Sequence, residues 1–202
     1  MCRSFNQKCP TAICKTLGAF KLDIKKGSDK PIHEYVILME NLNLGMDAKS
    51  PHMSKYDLKG SMLRRYVVTK DKTVTKLDTN FIEDNNSKPI CMNYTLHRLM
   101  EIAIHNDTNF LSRYEKIDYS FLVWIDHENL LIRVGIIDYI QYYSFAKMLE
   151  HQVKKTLAGK APTILDPFAY KQRFKQHMNN YMMSILGDQP IESFSQISIR
   201  QI

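Results

Sequence analysis

The stretch IDYSFLVWIDHENLLIRVGIID, Ile117 to Asp138, holds two apolar, β-branched runs separated by the polar turn HEN. Runs of that length bounded by a turn read as an antiparallel hairpin. An acid stands at each end: Asp118 precedes the first strand and Asp138 closes the second. Upstream, KYDLKGSMLRRY (Lys55–Tyr66) sets the strand-like patches YDL and YVV around a Lys-Gly-Ser turn and an Arg-Arg pair. That mixture is a poor recipe for a core. A lysine beside a bare glycine backbone suits a phosphate.

The chain has 202 residues, 44% hydrophobic and 24% charged, which fits an ordinary globular protein. Charges interrupt the longer apolar runs, so none approaches the roughly 18 to 20 residues of a spanning helix. The first fifteen residues have no continuous apolar core and do not read as a signal peptide. Cys2, Cys9, Cys14 and Cys91 lack zinc-site spacing and read as reduced thiols of a cytosolic protein. The net charge of +7 implies an anionic partner: nucleic acid, lipid or nucleotide. No Arg/Gly repeat, aromatic RNA-binding signature or paired Cys/His finger argues for nucleic acid, and none is expected as a partner.

The pattern is α+β. LGAFKLDIKK and HEYVILMENL read as strands joined by GSDKP, and MSKYDLKG and RRYVVTK as a second hairpin. KPICMNYTLHRLMEIAIHN reads as a helix, with Ile90, Leu96, Leu99, Met100, Ala103 and Ile104 at helical spacing. Asp107 is expected to cap a short following helix, TNFLSRYEK. A final helix is expected from about Pro167 to Leu186.

Asp57, Lys59, Asp118 and Asp138 all fall at strand ends beside turns. Carboxylates brought together repel unless a cation lies among them, and a lysine nearby would neutralise phosphate oxygens. Phosphoryl transfer uses such an assembly: one acid for the attacking hydroxyl's proton, another for magnesium, and a cation on the phosphate. Taken singly, each aspartate reads better as a turn residue or a hydrogen-bond cap than as a catalytic group.

DLKGSMLRR, IDYSFLVWID and RVGIIDYI, in this order and spacing, resemble the phosphatidylinositol phosphate kinases. CPTAICKTLGAFKLDIKK, EYVILMENL and GKAPTILDPFAYKQRF resemble the phosphatidylinositol 3-phosphate 5-kinase branch, whose large members often carry a FYVE finger. The match runs from about Cys9 to Tyr181. It implies the fold shared with SAICAR synthase and related to protein kinases, mainly its C-lobe. Residues 1–42 would be the end of the N-lobe and the hinge, 43–187 the C-lobe with an activation or specificity loop at about 139–163, and 188–202 a tail.

The resemblance implies roles as well. Met39, Glu40 and Asn41 would hold the adenine of ATP. Lys59 would contact ATP phosphate, and Gly60 would let the backbone approach it. Asp118 would be the catalytic acid/base and Asp138 the Mg2+ ligand, while Asp57 and Arg65 would orient the lysine turn. Phosphatidylinositol 3-phosphate would be phosphorylated at position 5; the alternatives are the 4-phosphate as substrate and a phosphoinositide-binding pseudokinase or regulatory fragment. The family's glycine-rich loop and strand lysine belong upstream of Cys9, so a truncated front lobe is expected, with a separate polypeptide as one source of its remainder. Loss of such a contact costs around a hundredfold or more in rate. Trp124 stands where the family usually has a small glycine.

From Lys147 to Lys175 there are seven bases (Lys147, Lys154, Lys155, Lys160, Lys171, Arg173, Lys175) against Glu150 and Asp166. Each base near an anionic leaflet contributes about 1 kcal/mol. Phe145, Met148, Leu149, Val153 and Leu157 recur as a helical stripe, which suits an interfacial helix as well as a core-facing one. The expected location is the cytoplasm, peripheral on an anionic endomembrane, endosomal or vacuolar by family analogy.

Overall fold

A computed structural model describes residues 9–25, 32–71, 73–141, 143, 165–185 and 196–197. The expected hairpin forms from β5 (Ser120–Asp126) and β6 (Leu131–Ile137), paired antiparallel from Ser120↔Ile137 to Asp126↔Leu131. β3 (Met53–Leu58) lies on the other side of β5, antiparallel, and the two-residue β8 (Gln196–Ile197) lies parallel to β6. Phe121, Val123 and Ile125 alternate onto the core face of β5, where each is at most 2% exposed.

Two helices cover that face. In α2 (Tyr94–Arg113), Met100, Ala103, Ile104, Asp107, Thr108 and Leu111 are buried at helical spacing, and Asn93 caps the N-terminus by accepting from the Leu96 amide at 2.8 Å. α3 (Pro167–Tyr181) starts on Asp166, whose carboxylate accepts from the Phe168 and Ala169 amides, with Pro167 in the first turn. It buries Tyr170, Phe174, Met178 and Tyr181. Tyr119 of the strand end meets the Tyr170 and Phe174 rings edge-on.

The structure corrects several expectations. RRYVV is not a strand: β3 pairs with β5 instead, and on its other side the Asp57 amide donates to the Lys76 carbonyl and the Lys76 amide to the Lys55 carbonyl. Ile90 is not helical, because ICMN forms β4 (Ile90–Asn93). The last helix stops at Tyr181, after which β7 (Met182–Ile185) pairs parallel with β4. Asp107 caps nothing, since α2 runs through it without a break. Its buried carboxylate accepts from Thr11 Oγ1 (2.7 Å) and the Ala12 amide (2.6 Å), which satisfies a polar group that burial would otherwise penalise. A short helix not expected from the sequence, α1 (Asp78–Asp84), follows the Lys-Gly turn.

β1 (Thr16–Ile24) and β2 (Ile32–Met39) form the other expected hairpin; its connecting turn lies outside the described residues. The segment before β1 is stitched to β6 by Cys14 N–H to Ile136 O and Ile136 N–H to Ala12 O. Gly135 makes the stitch possible: a Cβ there would stand 2.6 Å from Cys14 Sγ and 2.8 Å from Leu42 Cδ1. The register puts Phe20, Leu22, Ile24, Ile32, Val36 and Leu38 on one exposed apolar face of this hairpin. No described helix is long and apolar enough to cross a membrane.

Candidate active site

Strand register alone brings the charged ends together. Leu58 pairs with Phe121, so Lys59 leaves the sheet where Asp118 enters it. Ser120 pairs with Ile137, so Asp138 leaves at the same end. Asp118 and Asp138 both turn off in the left-handed region, at φ 62° and 59°. Such strain in non-glycine residues gathers where the chain holds a side chain in an imposed direction.

Lys59 Nζ donates to Asp118 Oδ1 at 2.7 Å and to the Asp118 carbonyl at 2.8 Å. Asp138 is exposed at the rim of the sheet, and its carboxyl is pushed above the usual carboxylate range, first by partial desolvation, then by Asp57 and less by Asp118; Lys59 acts in the opposite direction. Three carboxylates and one ammonium therefore share one neighbourhood. Among the described residues no cluster of three His, Cys, Asp or Glu could hold a metal alone. Mg2+ usually takes one or two carboxylates and fills its shell with phosphate and water. Asp138, with Asp118 nearby, suits that limited role.

The lysine turn is built on Asp78, which the sequence reading did not single out. Its fully buried carboxylate accepts from the amides of Lys59 (3.1 Å) and Gly60 (2.8 Å), from Arg65 Nε (2.8 Å) and from Tyr181 Oη (3.1 Å). Arg65 Nη2 also donates to the carbonyl of Asp57 and to its Oδ1, the latter at 2.6 Å. Asp57 and Arg65 thus brace the turn. Gly60, at φ +65°, lies under α3: an added Cβ would stand 3.0 Å from His177 Cβ. Val74, Leu77, Phe81 and Ile82 fall at helical spacing around Asp78 and could have signalled the short helix, but no sequence pattern signals the partners of its carboxylate.

Met39 ends β2 opposite Thr16. The Glu40 amide donates to the Lys15 carbonyl at 2.9 Å, and Glu40 Oε1 accepts from the Lys15 amide at 2.8 Å. The Asn41 carbonyl accepts from Leu44. Arg133 fixes the following loop through the carbonyls of Leu42 and Leu44. Tyr139, next to Asp138, bonds through its hydroxyl to the Cys14 carbonyl and Thr16 Oγ1, both at 2.7 Å. That links the Asp138 end of the sheet to the base of β1. Trp124 lies farther down β5, buried, with Lys55 Nζ 4.9 Å above its ring, and does not enter the charged cluster. Lys147, Lys154, Lys155 and Lys160 lie outside the described residues.

Comparison with known proteins shows the family. The family model described as "Phosphatidylinositol-4-phosphate 5-Kinase" matches residues 2–129 and 124–181. The 1-phosphatidylinositol-3-phosphate 5-kinase FAB1B of Arabidopsis thaliana is 38% identical over 189 residues, 90% of this chain and 10% of the relative. The 1-phosphatidylinositol 3-phosphate 5-kinase of Homo sapiens is 34% identical over 188 residues, 89% of this chain and 9% of the relative. FAB1 of Saccharomyces cerevisiae is 34% identical over 194 residues, 92% of this chain and 8% of the relative. The chain belongs to the phosphatidylinositol phosphate kinase family, and it resembles the kinase part of the 3-phosphate 5-kinases. It spans about a tenth of the length of the curated relatives it matches.

Proposed function

We propose that this chain is the C-lobe, with the hinge and the last N-lobe strands, of a lipid kinase that transfers the ATP γ-phosphoryl group to the 5-hydroxyl of phosphatidylinositol 3-phosphate. The observation that supports it is the meeting of Lys59, Asp118 and Asp138 at one end of the β3-β5-β6 sheet. The fold would then be the protein-kinase-related one. The exposed apolar face of β1 and β2 is consistent with strands from the rest of an N-lobe sheet.

In this reading the inositol oxygen bonds to the γ-phosphorus as the bond to the bridging oxygen of ADP breaks. Asp118 takes the hydroxyl proton. Lys59 turns from Asp118 onto the phosphate oxygens, which releases the carboxylate at the moment it is needed. Asp138 would hold Mg2+, which supplies charge neutralisation on the transferring phosphoryl group. Met39, Glu40 and Asn41 would seat the adenine. The 3-phosphate is favoured over the 4-phosphate because the relatives that match about nine-tenths of this chain are named for the 3-phosphate. The protein would act at an anionic endomembrane, held by the basic stretch that contains Lys147, Lys154, Lys155 and Lys160.

The test is radiolabel transfer from ATP onto vesicles containing phosphatidylinositol 3-phosphate or 4-phosphate, with Asp138→Asn as control. Product above the control, greater with the 3-phosphate, is expected. Equal counts from wild type and control would overturn catalysis by this chain.

A further inference from the structure

Two arginines at this end of the fold, Arg65 and Arg173, are held in opposite ways. Arg65 is enclosed by Asp57 and Asp78. Arg173 of α3 has no carboxylate within ion-pair distance among the described residues, and its Nε is buried without a hydrogen-bond acceptor. Its neighbours on the helix are partnered elsewhere: Lys171 Nζ donates to Asn109 Oδ1 at 3.2 Å, and Lys175 Nζ lies 3.0 Å from His105 Nδ1, both toward α2. His177 and the main chain at Arg173 lie on the other side of the helix, against the lysine turn. A Cβ on Gly60 would come within 3.3 Å of the Arg173 carbonyl and 3.0 Å of His177 Cβ.

The guanidinium carbon lies 4.8 Å from the centre of the Tyr170 ring. The Tyr170 hydroxyl donates to the Tyr119 carbonyl at 2.5 Å, one residue beyond Asp118. The charges of Asp118 and Arg173 both act on that hydroxyl, and the Arg173 side chain also lies within hydrogen-bonding reach of it. Arg173 also acts on the Tyr119 hydroxyl, which is buried and has no hydrogen-bond partner among the described residues. Stacking on Tyr170 explains where the guanidinium sits. It does not explain a buried donor without an acceptor, which folded proteins rarely retain, or a cation without an anion.

We propose that Arg173 is an anion-binding residue of the Lys59–Asp118 site, where it holds a phosphate monoester group on the α3 side of Asp118. This rests on the kinase reading above and adds to it a second cation on the helix that packs over the lysine turn. A guanidinium fork fits two phosphate oxygens at once, which an ammonium does not. The phosphate could belong to the lipid headgroup or to ATP, and the two sources separate by experiment.

The full chain, Arg173→Gln and Arg173→Lys are compared in two binding assays. One uses phosphatidylcholine vesicles containing 5 mol% phosphatidylinositol 3-phosphate against vesicles with the same amount of unphosphorylated phosphatidylinositol. The other measures MgATP affinity. Removing a charge-assisted contact should weaken binding about tenfold or more. Loss of the preference for phosphorylated lipid in Arg173→Gln, with partial recovery in Arg173→Lys and unchanged adhesion to phosphatidylserine vesicles, assigns the headgroup. A tenfold loss of MgATP affinity alone assigns the nucleotide. If both variants match wild type in both assays, the assignment is wrong although the kinase reading stands. If wild type binds neither ligand, the kinase reading fails and this inference with it. If both substitutions unfold the chain, Arg173 is a packing residue and the assignment is overturned.

Discussion

Lys59 Nζ is bonded to both the carboxylate and the carbonyl of Asp118, although 59 residues separate the two in the chain. The contact joins the end of β3 to the start of β5 and holds a base and an acid in one place. The Asp118 side chain is half exposed, so solvent screens the pair and its contribution to folding is small, below about 1 kcal/mol. Lys59→Met should therefore leave the urea midpoint nearly unchanged while lowering phosphoryl transfer by about a hundredfold. A variant that loses stability and activity in parallel would make Lys59 a structural residue instead.

Asp78 behaves in the opposite way. Four donors, two of them main-chain amides of the lysine turn, converge on its buried carboxylate. Removing it leaves the Arg65 guanidinium with only Asp57 and strands two amides. Asp78→Ala should cost about 3 to 5 kcal/mol, read as a lowered denaturation midpoint. A loss under about 1 kcal/mol would show that the turn does not depend on this carboxylate.

The β5–β6 hairpin was legible because its two apolar runs are bounded by a short polar turn. The meeting of Asp118 and Asp138 then follows from register, since residues flanking paired strand ends must be neighbours. The partner of β3 was not legible: RRYVV is nearer in sequence, but Arg65 folds back onto Asp57 and Asp78, so the segment cannot run alongside. ICMN joined the helical pattern because a four-residue apolar strand carries too few positions to separate the periods. Asp107 looked like a cap because a polar run interrupts the helix there. What satisfies it, Thr11 and Ala12, lies about ninety-five residues away. Asp78 and Arg173 were hidden for the same reason: their meaning depends on groups that only the fold brings near.

Gly60 combines two demands. At φ +65° an L side chain is strained, and a Cβ would meet His177 Cβ at 3.0 Å and the Arg173 carbonyl at 3.3 Å. Gly60→Ala should destabilise by about 1 to 3 kcal/mol and push α3 off the lysine turn. Calorimetry would report the stability loss. MgATP titration would report weakened affinity, because Lys59 moves with the turn. Wild-type values in both measurements would contradict the close approach.

The last prediction concerns acid. Asp107 is 5% exposed, and burial pushes its carboxyl up to about 6, against the opposing bonds from Thr11 and the Ala12 amide. The folded state therefore holds this proton more tightly than the unfolded chain does. The stability linked to it is complete below the ordinary aspartate range near 4 and is lost as pH rises through about 6. The shift of about two pH units corresponds to roughly 3 kcal/mol in all. About 1 to 1.5 kcal/mol of that should disappear between pH 5 and pH 7.5. Asp107→Asn imitates the neutral acid: its oxygen can accept from the Ala12 amide while its amino group donates to Thr11 Oγ1. Urea denaturation of wild type and variant at the two pH values measures the difference directly. The variant should lack this part of the pH dependence and should gain on wild type as pH rises. If the two proteins change in parallel, Asp107 is ionised throughout that range, and its bonds to the segment before β1 are those of an ordinary carboxylate.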